Sequence, residues 1–220
     1  MNGVIADPAL ARLLEALHAE SDAQSEEYAA FFARRPPPTE AEVKSFRADK
    51  LVALDRDKAS FCYQLCRAMG ARRIVEAGTS HGVSTLYLAA SVRDNLRVLG
   101  GAGVVIGTEY EPEKARIARA NLARAGLSEW VDLREGDLRE TLRAIEEPID
   151  FMLVDIWVVM ARPALELVHP RLRPGAAVVC DNTGERRAEY ADYFAFVAAN
   201  GYHTMTLPFA GGLEFSVRCA

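Results

Sequence analysis

Apolar residues recur at spacings of three and four near the start of the chain. Leu10, Leu13, Leu14 and Leu17 fall on one stripe, and this period predicts a helix over 8–32. The run Arg34-Arg35-Pro36-Pro37-Pro38-Thr39 must end it, because proline lacks an amide donor and crowds the preceding turn. A second helix is expected after Thr39, with Glu42 at the spacing of a capping box, and a third over 56–69, stopped by Gly70. Residues 1–70 therefore read as an all-helical N-terminal cap segment.

The period changes at residue 73. Strand-like runs at 73–76, 103–109, 131–133, 149–155 and 176–180 alternate with helical stretches. One helix is opened by Pro112 and closed before Gly126; another, over 185–199, puts Tyr190, Tyr193, Phe194 and Val197 on one face. Such alternation predicts an α/β fold with a Rossmann-like, doubly wound, mostly parallel sheet. The last two runs, 202–207 and 213–217, are separated by Pro208 and Gly211-Gly212 with no room for a helix, so they read as an antiparallel hairpin. The expectation is a seven-stranded sheet in one unit over 71–220.

Composition narrows the function. Of 220 residues, 26 are basic and 31 acidic, a net charge of −5 that argues against a nucleic-acid partner, which needs a basic footprint. Cys62, Cys66, Cys180 and Cys219 form no CxxC pair and read as buried free thiols. The N-terminus lacks a signal-peptide pattern, and no apolar run approaches the ~20 residues that cross a bilayer. A soluble, cytoplasmic protein with no membrane partner is expected.

Ligands of such sheets bind beyond the carboxyl ends of the strands. The first strand runs into Glu76-Ala77-Gly78-Thr79-Ser80-His81-Gly82-Val83-Ser84-Thr85, whose glycines let the backbone turn sharply. This is neither GxGxxG nor a P-loop, and Glu76 would repel a pyrophosphate but suit an amine or other cation. Glu109 ends the second strand, where a carboxylate can accept both hydroxyls of a ribose, and Gly136-Asp137 follows the third, where an adenine can be read. Any one of these acids fits a solvated loop; three at successive strand ends beside a glycine turn argue for a site. Asp155 ends the fourth strand and Asp181-Asn182 the fifth. With neighbouring strands ~4.8 Å apart, their oxygens can converge on one hard cation such as Mg²⁺. A turn at Asp181-Asn182 and a helix cap at Asp155 account for these residues equally well.

The run Val75-Glu76-Ala77-Gly78-Thr79-Ser80-His81-Gly82-Val83-Ser84-Thr85-Leu86 resembles the first motif of class I S-adenosylmethionine-dependent methyltransferases, and more narrowly the catechol and caffeoyl-coenzyme A O-methyltransferases. The likeness extends from about residue 50 to the C-terminus, including Gly212-Leu213-Glu214. It implies an enzyme that moves a methyl group from S-adenosylmethionine to a hydroxyl of a small, catechol-like acceptor. Glu76, Gly78, Thr79, Ser80 and Ser84 would line the methionine half of the cofactor. Glu109 would hold the ribose, Asp137 and Leu138 would flank the adenine, and Asp155 and Trp157 would complete the cofactor site. Asp155, Asp181 and Asn182 match the set that holds a divalent cation, Mg²⁺ or another, in that family.

One departure stands out. The lysine that serves the family as general base, three residues after the first metal aspartate, is Val158 here. Metal activation alone, another base (His81 is nearest in sequence, although a solvent-facing turn residue is its plainer reading) or an altered or lost activity each follow from that change. The catalytic candidates are thus Asp155 and His81. The rival is a non-catalytic or metal-independent S-adenosylmethionine-binding protein; an NAD-dependent oxidoreductase fails on the glycine spacing. Lys50, Lys58 and the Arg34-Arg35 pair read as solvated, and His169 and His203 as structural. The Leu10/Leu13/Leu17 stripe would serve a homodimer or pack on the sheet.

Overall fold

The change of period at residue 73 is where the sheet begins. The computed structural model describes residues 4–184 and 186–219, and of Glu40 only the backbone. Four helices come first: α1 (Pro8–Asp22), α2 (Ser25–Phe32), α3 (Glu40–Arg47) and α4 (Arg56–Met69). The helix expected over 8–32 is broken at Ala23-Gln24. There Ser21 Oγ and Gln24 Nε2 both donate to the Leu51 carbonyl, so the polar residues of this stretch bind a neighbouring segment instead of extending the stripe. The expected capping box is present, with the Thr39 amide donating to Glu42 and the Glu42 amide to Thr39 Oγ1.

Strands and helices then alternate: β1 (Arg73–Ala77), α5 (Val83–Leu99), β2 (Val104–Glu109), α6 (Pro112–Arg124), β3 (Val131–Glu135), α7 (Leu138–Thr141), β4 (Ile149–Val154), α8 (Val158–Val168), β5 (Leu172–Asp181), α9 (Ala191–Ala199), β6 (Tyr202–Leu207) and β7 (Leu213–Arg218). The sheet order is β3-β2-β1-β4-β5-β7-β6, parallel except for β7, which runs against both neighbours. This is the expected seven-stranded arrangement. Several boundaries differ, three of them at β4, β5 and the last helix. β4 ends at Val154, leaving Asp155 just beyond the ladder. β5 begins at Leu172, through Pro174 and Gly175, with a shift of register against β4 between Ile149 and Phe151. The last helix starts only at Ala191, after turns over 186–190; Glu185, where it was expected to begin, lies outside the described residues.

Successive strand residues face opposite sides, and both sides are covered. Ile74, Phe151 and Leu153 pack with α1, α4 and α5, whereas Val75, Met152 and Val154 pack with α8 and α9. The leucine stripe of α1 is used here: Leu10, Leu13, Leu14 and Leu17 are all buried against the first layer, which leaves no such stripe for a second copy. Three cysteines are buried as expected, but Cys219 is exposed beyond the last strand.

At the amino edge of the sheet, Asp150 accepts the amides of Arg72 and Arg73 at 2.8 and 2.9 Å and pairs with Arg173 at 2.6 Å. Burial alone would raise its pKa; the Arg173 guanidinium and the two amides outweigh burial and hold it below the ordinary value. Asp150→Ala should lower stability to urea by about 1.5–3 kcal/mol at neutral pH. Because the folded pKa is depressed, this contribution is complete above the unfolded carboxylate range and fades as pH falls through the lower folded value. The gap between wild type and variant should therefore narrow in acid.

Candidate functional site at the carboxyl edge of the sheet

The strand order reverses between β1 and β4, and the crevice there is where an open sheet takes its ligand. Gly78 makes that crevice. Its φ is +99°, and a Cβ at this position would stand 2.0 Å from the Asp155 carbonyl oxygen, so only glycine lets the β1 turn lie against the end of β4. The Asp155 amide donates to the Ala77 carbonyl at 3.0 Å, extending the ladder to this point. Ser80, also in the turn, holds a left-handed φ of +50°, and its Oγ is buried with no protein partner.

Glu76 lies wholly inside the turn. Its carboxylate accepts the hydroxyls of Thr79 at 2.9 Å and Ser84 at 2.7 Å, together with that of Thr85. Burial raises its pKa, against the pull of these three donors. Glu76 and Ser84 thus serve first to shape the loop rather than to offer free polar atoms. Glu109, at the end of β2, accepts the Ser80 amide at 2.7 Å and the Glu111 amide at 2.8 Å, which aims its carboxylate at the glycine turn.

Asp137, expected beside an adenine, makes local contacts in the structure. Its carboxylate caps α7 through the Arg139 amide and holds the Arg139 guanidinium, which lowers its pKa to about 2. Leu138 is buried in the second core layer. Trp157 is 43 % exposed, with the Arg47 guanidinium 5.2 Å over its ring. Lys44 sits likewise 5.2 Å over Tyr110. The last turns of α3 therefore reach the loops after β2 and β4. The stacking of Phe31 on Phe46, with centroids 4.0 Å apart, ties α2 to α3.

His81 is buried rather than solvent-facing, since the Asn121 amide group binds its carbonyl and draws the turn onto α6. Burial, followed by the charge of Lys114, lowers its pKa. The charges that act on its ring belong to α6, not to Asp155 or Asp181. Val158 opens α8 and packs against the second core layer.

On the other side of Asp155, two of the residues expected to hold a metal, Asp181 and Asn182, are joined by a hydrogen bond, with Lys58 as an added member. Lys58, in the first turn of α4, is 2 % exposed, and its Nζ lies 2.6 Å from Asp181 Oδ1 and 3.1 Å from Asp55 Oδ2. The expectation of a solvated lysine is thus corrected. The sequence held a signal for it: Lys58 begins a spacing of four through Cys62 and Cys66, the buried face of α4, and stands three after Asp55. Burial would lower the Lys58 pKa, yet Asp181 and Asp55 carry it above the ordinary value and keep it an ammonium. The other Asp181 oxygen accepts Asn182 Nδ2 at 2.7 Å, with Asn182 held at a left-handed φ of +60°. The Asp155 carboxylate has no hydrogen-bond or ion-pair partner among the described residues. Burial raises its pKa, and the charges of Asp181 and Glu76 raise it further. Asp55, Arg56, Asp57, Lys58, Phe209 and Ala210 line a cleft of about 350 Å³ at this end.

A methyltransferase-domain family profile matches residues 75–183. The chain is 33% identical over 132 residues to the catechol O-methyltransferase of Mycobacterium tuberculosis, covering 60% of this chain and 57% of that protein. It is 32% identical over 152 residues to a protein of Mycolicibacterium smegmatis assigned to the O-methyltransferases, covering 62% and 69%. The match therefore spans a little under three fifths of the length of the catechol O-methyltransferases to which the chain is similar. Among solved structures, the O-methyltransferase of Bacillus cereus in complex with SAH (S-adenosylhomocysteine) has a TM-score of 0.67 at 22% identity, over 93% of this chain and 99% of that one, a likeness of fold.

Glu76→Ala should cost roughly 1–3 kcal/mol in urea denaturation, because it leaves three buried hydroxyls without their acceptor, while Glu76→Gln should cost less. The wild-type carboxyl titrates higher folded than unfolded, so it binds protons more readily in the fold. Between those two values wild-type stability should fall as pH rises, and Glu76→Gln should lack that slope.

Proposed function

The chain belongs to the S-adenosylmethionine-dependent O-methyltransferases, and on that premise we propose that it transfers a methyl group to a hydroxyl oxygen of a small acceptor, one with adjacent oxygens as in a catechol. The observation that carries this reading is the crevice at Gly78. A cradle that a Cβ would fill, an orphaned Ser80 Oγ, the ribose-type carboxylate of Glu109 and the unpartnered carboxylate of Asp155 all border it. These residues fit S-adenosylmethionine, whose ammonium and sulfonium are cations and whose ribose hydroxyls are donors.

When bound, S-adenosylmethionine supplies a methyl group on a sulfonium sulfur; it passes to the acceptor oxygen as the carbon–sulfur electron pair returns to sulfur and the hydroxyl proton leaves to water. The residues of the chain hold and orient the two partners. Glu76 keeps the turn in shape, Glu109 meets the ribose, and the backbone at Gly78 admits close approach. Asp155 stands at the junction of cofactor and acceptor, where its free oxygens accept a hydrogen bond. The cleft beside Lys58 and Phe209 admits the acceptor. Alignment of this kind can supply much of a rate enhancement by itself.

The family's divalent cation fits less well. Asp155, Asp181 and Asn182 offer hard oxygens, but both oxygens of Asp181 are already engaged, by Lys58 and by Asn182. Val158, together with the displaced His81, favours a second reading in which the chain binds the cofactor without catalysis.

Calorimetry with S-adenosylhomocysteine should show saturable binding, weakened more than about tenfold by Glu109→Ala. Transfer of labelled methyl from S-adenosylmethionine to members of a catechol panel should then separate the two readings. Binding without transfer to any of them would favour the non-catalytic one, and no binding would defeat both.

A further inference from the structure

We propose that the Lys58 ammonium takes the position that the resemblance assigns to a divalent cation, so that the chain itself compensates the acidic cluster and excludes Mg²⁺ or Mn²⁺ from it. The consequence for the acceptor rests on the methyl-transfer reading; the exclusion of metal does not.

Three observations carry the inference. The Lys58 Nζ lies between Asp181 at 2.6 Å and Asp55 at 3.1 Å, on a side chain only 2 % exposed, so the charge is held in the cluster. The second Asp181 oxygen accepts Asn182 Nδ2 at 2.7 Å, so both oxygens of that carboxylate are already hydrogen-bonded. Lys58 Nζ and Asn182 Oδ1 also converge on Gly211: a Cβ placed there would lie 3.8 and 3.1 Å from them. The ammonium thus stands on Asp181 and beside Asn182, two of the three residues that a metal would need. A dication beside Asp155 and Asp181 would face a fixed positive charge at short range in a poorly solvated pocket, where Coulomb repulsion is large.

An ammonium has three N–H donors. Two are used by Asp181 and Asp55. The third is left for the cleft that Lys58 lines, and there it meets an acceptor oxygen. Lys58 would then position the acceptor and favour its oxygen as negative charge develops, the service that a metal renders elsewhere. A cation delivered from α4 also accounts for an apolar Val158, because the site does not depend on a charged group entering from α8.

The test is Mn²⁺ binding to the full chain saturated with S-adenosylhomocysteine, followed by electron paramagnetic resonance and calorimetry. Wild type and Lys58→Arg should show no saturable Mn²⁺ binding. Lys58→Met should gain affinity by more than about a hundredfold and lose it again when Asp181→Asn is added. Saturable binding by wild type that Asp181→Asn abolishes would overturn the inference on its own, whether or not Lys58→Met folds. So would a folded Lys58→Met protein that binds Mn²⁺ no better than wild type. S-adenosylhomocysteine binding is read separately in each protein. Its absence would defeat the methyltransferase reading while the Mn²⁺ result still decided the role of Lys58.

Discussion

A carboxylate at the end of a parallel sheet, walled by helices, must be compensated, because an ion withdrawn from water without partners costs far more than a fold can spare. Glu76, Glu109, Asp181 and Asp155 show how unequally this is met at the carboxyl edge. Glu76 is satisfied by three hydroxyls of its own loop, and Glu109 by two backbone amides. Asp181 has an ammonium from α4, and the Asp155 carboxylate has no partner among the described residues. That graded compensation separates the residues that build the site from the one left open to a ligand. Glu76 has its carboxylate engaged by its own loop, while Asp155 keeps a carboxylate whose pKa is raised by burial and then by Asp181 and Glu76.

Backbone geometry brings these groups together. Gly78 lets the β1 turn touch the end of β4, so the glycine turn and the acidic cluster of Asp155 and Asp181 lie side by side. On the far side, a Cβ on Gly212 would stand 2.4 Å from the Gly184 amide, and the Gly184 amide donates to the Gly211 carbonyl. The antiparallel β6–β7 hairpin is thereby pressed against the turn that carries Asn182. The first helices complete the enclosure, with α4 supplying Lys58 and α3 setting Arg47 and Lys44 over the aromatic rings of the two cofactor-side loops.

Much of this was legible in the sequence because it depends on local period and on residues at strand ends. Alternating apolar runs placed the sheet, and the close spacing of the last two strands forced the hairpin. The acids at the ends of β1, β2, β4 and β5 could be read without any contact being known. What escaped depends on pairing across the chain. Lys58 and Asp181 are 123 positions apart, and nothing local to either announces the other. His81 lies on a polar turn that reads as exposed, yet Asn121 of α6 draws it inward. Asp137 shows the opposite case: its partner, Arg139, is only two residues away, so a capping role for that carboxylate could be read locally beside the ligand role that its strand-end position suggests.

The central claim is that the cluster at Asp155 and Asp181 is compensated by a lysine of the chain, with the crevice at Gly78 left for the cofactor. A crystal structure grown with S-adenosylhomocysteine and Mn²⁺, with data collected at the manganese absorption edge, tests it most directly. The account predicts ligand density between the glycine turn and Glu109, no anomalous peak among Asp155, Asp181 and Asn182, and Lys58 still bound to Asp181. A manganese peak at that position with Lys58 turned away would contradict it.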